Sequence, residues 1–325
     1  MFDITLDGGG TKLNAILFDE RFRIVRRARA SGVNHTQNGR EAAAISVSDC
    51  LNALLPPETT EVGTIYAVFV GDARILRECL NKRVRYQNLI LLDEARAGLL
   101  AGAGYHTGLL ALSGTGSDVF NIHADTASFV GGLGPILGDQ GSGAWMGLQA
   151  LRAVGRAVNG WGEKTSLTDA IMEKYDAHGR IFNVVWAFHG SQAPYAMAAS
   201  LVPLITEAAY AGDTVALEIF RSAGDVLARQ MIALLRRDPV WSHDVVTLCG
   251  GAWKSHPIMK RAFENTLHEV YPQLAVNRPW FEHVTAGMME KALSVGMCRE
   301  EARAMLQKTC TEECLDERNR KYECD

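Results

Sequence analysis

Several things are scarce or missing in this chain of 325 residues. Basic residues are not in excess: 33 Lys and Arg stand against 37 Asp and Glu, a formal net charge of −4. That balance argues against a nucleic-acid partner, which would call for a basic face. No apolar run approaches the roughly 20 residues needed to span a bilayer, so no membrane partner is expected. The opening residues, MFDITLD, have neither a basic stretch nor a long apolar segment, so they are not read as a signal peptide. A cytoplasmic protein is expected. The seven cysteines are odd in number and scattered, which does not suit a disulfide framework, and free thiols are expected. Cys50, Cys79 and Cys249 fall in core-like segments, whereas Cys298, Cys310, Cys314 and Cys324 lie toward the end. The Cys310–Cys314 spacing has no second pair to complete a metal site.

What remains is an ordinary globular composition, 47% hydrophobic and 22% charged. The length exceeds that of most single cores, so two domains are the expectation. FDITLD, LNAILFD and FRIVRRARA alternate or run apolar as three strands of a meander. A helix is predicted from Gln37 to Leu55, ended by Pro56–Pro57, then a strand in TIYAVFVGD and a short helix from Ile75 to Asn81. YQNLILLD reads as a strand covered on both faces, followed by a helix from Glu94 to about Gly104. The pattern then restarts. TGLLALSGTGSDVFNIH is strand, glycine turn and strand, and SFVGGLG a third strand, about a hundred residues after the first meander. Helices fill most of the span from Ala144 to Arg237. HDVVTLCGGAWKS is a late strand entering a glycine turn and a helix, and His283–Val295 a further helix. Beyond Gln307 a frayed, charged tail is expected.

Four loops carry candidate chemistry. DGGGTK (Asp7–Lys12) is a glycine hairpin whose backbone N–H groups could cradle an anion, with Thr11 and Lys12 at the rim. Asp7, at a strand end, could hold Mg²⁺ through water, since that ion uses few protein ligands. The plainer alternative is a hairpin with no ligand. It is not a Walker loop, because it lacks GxxxxGK[ST] and joins strand to strand. SGTGSD (Ser113–Asp118) repeats the device with Gly114, Thr115 and Gly116. Two such hairpins could hold the phosphates of one nucleotide between equivalent halves. LCGGAWKS places Gly250 and Gly251 where a flat ring could lie on the backbone. Asp93, ending LILLD, sits where ligands bind in open sheets and would suit a general base, or it caps the next helix. Asp139, in ILGDQGSGAWMG, carries the same ambiguity. Asn34 and His35 could bind a polyol or form a polar turn, and Asp72 reads first as a turn or cap residue.

Taken in order over about residues 2–296, these motifs resemble the actin-like ATPase and sugar kinase superfamily. More narrowly they resemble the N-acetylglucosamine kinase branch, grouped with the BadF/BadG/BcrA/BcrD-type ATPases. DGGGTK and SGTGSD look like that family's two phosphate loops, GGLGPILGDQGSGAWMG like its glycine-rich substrate signature and CGGAWKS like its adenosine loop. The resemblance implies an α/β protein of two actin-like (ribonuclease H-like) domains with mixed sheets flanked by helices, nucleotide and substrate lying in the cleft between them. The first domain would cover residues 1–105, completed by a helix at about 283–306, the second residues 106–282, and the tail 307–325. It implies ATP and Mg²⁺, an amino sugar phosphorylated at the 6-hydroxyl, and a homodimer. By position Asp93 matches the catalytic base. Asn34, His35, Asp72, Gly132, Leu133, Gly134 and Asp139 fall at or beside sugar-binding positions. Gly9, Gly10, Thr11, Lys12, Gly114, Thr115, Gly116, Gly251 and Ser255 match nucleotide contacts. Leu133 stands where N-acetylglucosamine kinases carry Trp, Gln140 where they carry Glu, and Thr36 where they carry an aromatic residue. DQGSG looks more like the glucosamine kinase branch. Two rivals are an ATPase that activates a radical dehydratase, which would need cluster-binding cysteines, and a non-catalytic sugar sensor.

Overall fold

The computed structural model describes residues 1–35 and 39–315. Thr36, the expected helix start at Gln37, and the end of the tail with Cys324 lie outside the described residues. The chain divides into two compact units, Met1–Thr107 with Arg278–Asp325, and Gly108–Asn277. Each is an α/β unit built on a five-stranded mixed sheet.

In the first unit β1 (Asp3–Gly8), β2 (Lys12–Phe18) and β3 (Ile24–Ser31) form the antiparallel meander that the alternation predicts. Helix α1 (Arg40–Leu54) follows, then β4 (Glu61–Phe69), α2 (Ala73–Arg83), β5 (Arg85–Leu92) and α3 (Glu94–Ala103). β4 pairs parallel to β1 and β5 parallel to β4, giving the order β3-β2-β1-β4-β5. Right-handed crossovers through helices are how parallel strands are joined. β1 and β4 are interior strands and almost wholly buried, as strands covered on both faces must be, although β1 carries Asp3, Thr5 and Asp7 among its six residues. β5 departs from expectation. It is an edge strand, and Ile90 and Leu91 remain 39% and 43% exposed.

The second unit repeats the plan. β6 (Gly108–Ser113), β7 (Ser117–Ile122) and β8 (Ala127–Gly131) form a meander. SFVGGLG is therefore only partly strand, because a one-turn helix α4 (Gly134–Leu137) begins at its last glycine. Helix α5 (Gly143–Val158) precedes the short helices α6 (Leu167–Lys174), α7 (Ile181–His189), α8 (Pro194–Ala199) and α9 (Val202–Tyr210). The long α10 (Thr214–Arg237) packs over β7 and β8 and against α11 (Pro257–His268). β9 (Val245–Cys249) pairs parallel to β6, and a three-residue strand absent from the sequence reading, β10 (Ala275–Asn277), pairs parallel to β9. The sheet order β8-β7-β6-β9-β10 thus matches β3-β2-β1-β4-β5 strand for strand.

The chain then returns to the first unit. The expected helix at His283–Val295 is a 3₁₀ turn (His283–Thr285) running into α12 (Ala286–Ser294). A further helix, α13 (Arg299–Thr309), follows. The tail does not begin at Gln307. Cys310, Glu313, Cys314 and Leu315 are buried, Phe281 bridges to Cys314, and the Glu313 carboxylate takes a bidentate pair from Arg27 at 2.6 and 3.0 Å. The described part of this charged segment packs because its buried acid, Glu313, is matched to a guanidinium fork. Among the described residues no helix is long and apolar enough to cross a membrane.

Candidate active site

In the first unit the carboxyl ends of three parallel strands gather most of the singled-out residues. β1 ends at Gly8, β4 at Phe69 and β5 at Leu92, so Asp7, the turn Val70–Asp72 and Asp93 share one sheet edge. The β1–β2 hairpin is closed by Gly9 N–H donating to Lys12 O at 2.9 Å. The segment after β3 crosses directly beneath it. Val33 N–H donates to Gly9 O at 3.0 Å. A Cβ on Gly32 would lie 2.0 Å from Gly10 O, so only glycine admits that approach. The crossing carries Asn34 and His35 to the same edge, where Asp72 N–H donates to His35 Nδ1 at 3.2 Å.

The carboxylates on this edge have distinct duties. Asp93 caps α3, its Oδ1 accepting from Ala95 and Arg96 N–H at 3.1 Å each, and its side chain is otherwise exposed. Asp72 caps α2 through Arg74 N–H and is clasped by the guanidinium groups of Arg74 and Arg40. The hydrogen-bonded Arg74 holds its carboxyl far below the usual range. Asp72 is thereby engaged as a cap and ion-pair partner, the turn-or-cap alternative of its sequence context. Asp7 faces His283, Oδ1 to Nδ1 at 3.1 Å, and His283 Nε2 reaches Glu94 O at 3.0 Å. A carbonyl only accepts, and a carboxylate accepts from the other nitrogen, so both ring nitrogens carry protons. Burial opposes that charge, but the Asp7 carboxylate beside the ring lifts the imidazole to about 9. A cavity of about 380 Å³ opens beside Asp7 and Lys12, with Asn14, Arg27, Glu282 and His283 in its wall.

In the second unit three glycine loops are stitched into one body. The β6–β7 hairpin, Gly114–Gly116, receives Gly143 N–H on Gly114 O at 2.8 Å and Ala144 N–H on Thr115 O at 3.2 Å. The hydroxyls at its feet reach the same loop, Ser113 Oγ to Gly141 O at 2.8 Å and Ser117 Oγ to Gln140 O at 3.0 Å. From the other side the turn after β9 presses on it. Gly250 has φ 103°, and a Cβ there would fall 2.2 Å from Ser113 O. Ser255 follows the 3₁₀ turn Gly251–Lys254 and donates its N–H to Ala252 O at 3.1 Å.

Asp139 does not cap α5. Ser142 does, accepting from Trp145 N–H at 3.1 Å. Asp139 adopts a left-handed backbone, φ 55°, a conformation its short polar side chain tolerates. Its carboxylate turns inward, 9% exposed, toward the backbone N–H groups of Ser117 and Gly134, which work to lower its pKa. Burial nevertheless raises its pKa. It lies against the hairpin, with Oδ2 3.1 Å from where a Cβ on Gly116 would be. Gly134 lies beside this acid, Gly132 lies against Asp118, whose Oδ1 would be 2.4 Å from a Cβ there, and the Leu133 side chain is 64% exposed.

The glycines of the two hairpins serve access and not backbone strain. Gly9, Gly114 and Gly116 lack positive φ, as does Gly251 of the turn after β9. At Gly9 a Cβ would meet nothing nearer than 3.8 Å, and at Gly114 and Gly251 nothing within 4 Å. Packing does not demand glycine there; open space above the backbone is what the missing side chain provides. His283 has no local signal in the sequence, and only long-range folding brings it to Asp7. Ser142 was legible as a Ser immediately before an apolar helical run.

The chain is 24% identical to an N-acetyl-D-glucosamine kinase of Dictyostelium discoideum, the match covering 84% of this chain and 92% of that protein. It is also 24% identical, with the same two coverages, to an N-acetylmuramic acid/N-acetylglucosamine kinase of Clostridium acetobutylicum. Its fold superposes on a candidate N-acetylglucosamine kinase from Chromobacterium violaceum with a TM-score of 0.66, at 23% identity, over 89% of this chain and 98% of that one. The family model matching residues 4–286 is decisive: the chain belongs to the BadF/BadG/BcrA/BcrD ATPase family.

Proposed function

We propose that this protein is an ATP-dependent kinase that phosphorylates an amino sugar of the glucosamine or N-acetylglucosamine type at its 6-hydroxyl. The observation that carries the reading is Asp93: an exposed carboxylate at the carboxyl end of β5, on the same sheet edge as the β1–β2 hairpin. The kinase relatives support the substrate class.

In this mechanism Gly9, Gly10, Thr11 and Lys12 of one hairpin and Gly114, Thr115 and Gly116 of the other hold the phosphates. Gly251 and Ser255 contact the nucleoside. Asn34, His35, Asp139 and the backbone of Gly132–Gly134 hold the sugar, with Leu133 beside them. Asp93 accepts the proton of the attacking hydroxyl. The sugar oxygen bonds to the γ-phosphorus, the bond from that phosphorus to the β–γ bridging oxygen breaks, and ADP leaves. Little covalent chemistry falls to the protein, so positioning and charge stabilisation dominate. Among the described residues no group of three or more His, Cys, Asp or Glu could hold a metal by itself. Asp7 would hold Mg²⁺ through water, since that ion uses few protein ligands. When bound, the ion would neutralise charge developing on the phosphate oxygens. A cytoplasmic homodimer is part of the same proposal.

Leu133 and Gln140, which depart from the N-acetylglucosamine kinase pattern, both present exposed side chains, and Gln140 uses only its carbonyl in holding the loop. The acceptor test is therefore a coupled ADP-release assay over glucosamine, N-acetylglucosamine, N-acetylmannosamine, N-acetylmuramic acid and glucose. An amino sugar should give the highest kcat/KM. Sugar-independent ATP hydrolysis, unchanged by every acceptor, would overturn the reading.

A further inference from the structure

His283 has a place in this fold that the reaction as described does not use. Its ring spans two elements, with Nδ1 on the Asp7 carboxylate at 3.1 Å and Nε2 on the Glu94 carbonyl at 3.0 Å. Asp7 is the penultimate residue of β1, and Glu94 opens the helix that Asp93 caps. The backbone around the ring is pinned to the same strand. Thr5 Oγ1 donates to Val284 O at 2.8 Å, and the turn itself is braced by Thr285 Oγ1 donating to Glu282 O at 2.9 Å. Four residues on, Gly287 lies so close to β1 that a Cβ would fall 2.6 Å from Thr5 Oγ1. The imidazole therefore has little freedom to turn away. The bond from Nδ1 sets where one oxygen of the Asp7 carboxylate points, and an ion held through water needs its oxygens aimed.

We propose that His283 is a positioning residue, which fixes the orientation of the Asp7 carboxylate toward the divalent cation of the nucleotide. This rests on Asp7 being the carboxylate that serves Mg²⁺. Outer partners of this kind typically govern about 10–100-fold in metal affinity. The effect should be specific to the metal, because the hairpin backbone that faces the phosphates is closed by its own Gly9–Lys12 bond.

The test is calorimetric titration of the full chain with ADP, once with Mg²⁺ and once with EDTA, for wild type, Asp7→Asn, His283→Ala, His283→Asn and His283→Gln. His283→Ala should weaken Mg²⁺–ADP binding about 10-fold or more and leave metal-free ADP binding within about twofold. His283→Asn, whose amide can replace Nδ1, should restore most of the loss. His283→Gln, whose amide reaches toward Glu94, should restore less. A purely structural role would lower the melting temperature and weaken both titrations alike, and that result overturns the proposal. Loss of the metal effect in Asp7→Asn but not in His283→Ala overturns it while leaving Asp7 in its role. No metal effect in either variant removes both. Should His283→Ala fail to fold, the order of the Asn and Gln variants decides, and Gln binding Mg²⁺–ADP better than Asn refutes it.

Discussion

Asp93→Asn separates two duties of one side chain. Asp93 caps α3 through two backbone N–H groups at 3.1 Å, both taken on a single oxygen, Oδ1. Asn presents the same acceptor and ranks with Asp as an N-cap. What the fold loses is the interaction of a negative charge with the helix N-terminus, about 0.3–1 kcal/mol. At about 2–4 °C per kcal/mol for a domain of this size, the melting temperature should fall by no more than a few degrees. The reaction loses its proton acceptor. General base catalysis is worth about 10²–10⁴-fold, which is roughly 2.7–5.4 kcal/mol of barrier. Sugar-dependent ADP release, measured at saturating ATP and acceptor, should therefore fall at least about 100-fold, with ATP binding by calorimetry unchanged within a few-fold. Asp93→Ala adds the missing cap, about 1 kcal/mol of stability, to the same kinetic loss. Turnover of Asp93→Asn within about threefold of wild type would refute the general-base assignment, whatever the melting curves show.

Other consequences are equally direct. Gly114→Ala enters open space without positive φ, so its melting temperature should stay near wild type while KM for ATP rises. Gly250→Ala drives a Cβ to 2.2 Å from Ser113 O at φ 103°, and should cost about 2 kcal/mol or more in a denaturant melt; an unchanged melt would contradict the close approach. Asp213 caps α10 through Ala216 N–H at 2.9 Å and also accepts from Thr165 Oγ1, Ser166 N–H and Ser166 Oγ. Burial works to raise its pKa, but these bonds more than offset that and lower it. With a folded pKa below the unfolded one, its stabilisation is present above about pH 4 and fades as pH falls through the folded value. Asp213→Ala should thus cost about 1–2 kcal/mol at neutral pH, with the gap from wild type narrowing in acid melts. Cys298 is exposed, whereas burial pushes the Cys50 and Cys310 thiols up to about 12. Iodoacetamide at mild pH should label Cys298 in the native protein and spare Cys50 and Cys310 until denaturant is added, as peptide mass spectrometry would show.

Much of the fold was open to reading in one dimension because its signals are local. The two meanders announce themselves by alternation and by glycine turns. The helices α1, α3 and α5 announce themselves by caps, periodicity and stops. Errors fall where local pattern and tertiary position part. YQNLILL is apolar enough for a central strand but ends a sheet. Leu274 to Asn277 is too short to announce β10, which exists because β9 offers it an edge. The segment after Gln307 looks like solvent-exposed charge, and its described part, up to Leu315, packs because Arg27, far away in sequence, answers Glu313. Asp139 looks like a cap, and Ser142 three residues on takes that duty.

The sequence by itself therefore determined the α/β class, the doubled strand–turn–strand plan and the identity of the four glycine loops, since each depends on neighbours within a few residues. It also marked Asp93, because the end of an apolar strand before a helix is where a carboxylate can cap that helix or face a ligand. Tertiary structure decided how those loops are used. It put Gly250 against Ser113 and Gly32 against Gly10, turned Asp139 inward under Gly116, tied Asp72 to two arginines, and carried His283 across 276 positions to Asp7. Those contacts follow from strand order and from the return of the chain to its first sheet, which no short window of residues encodes.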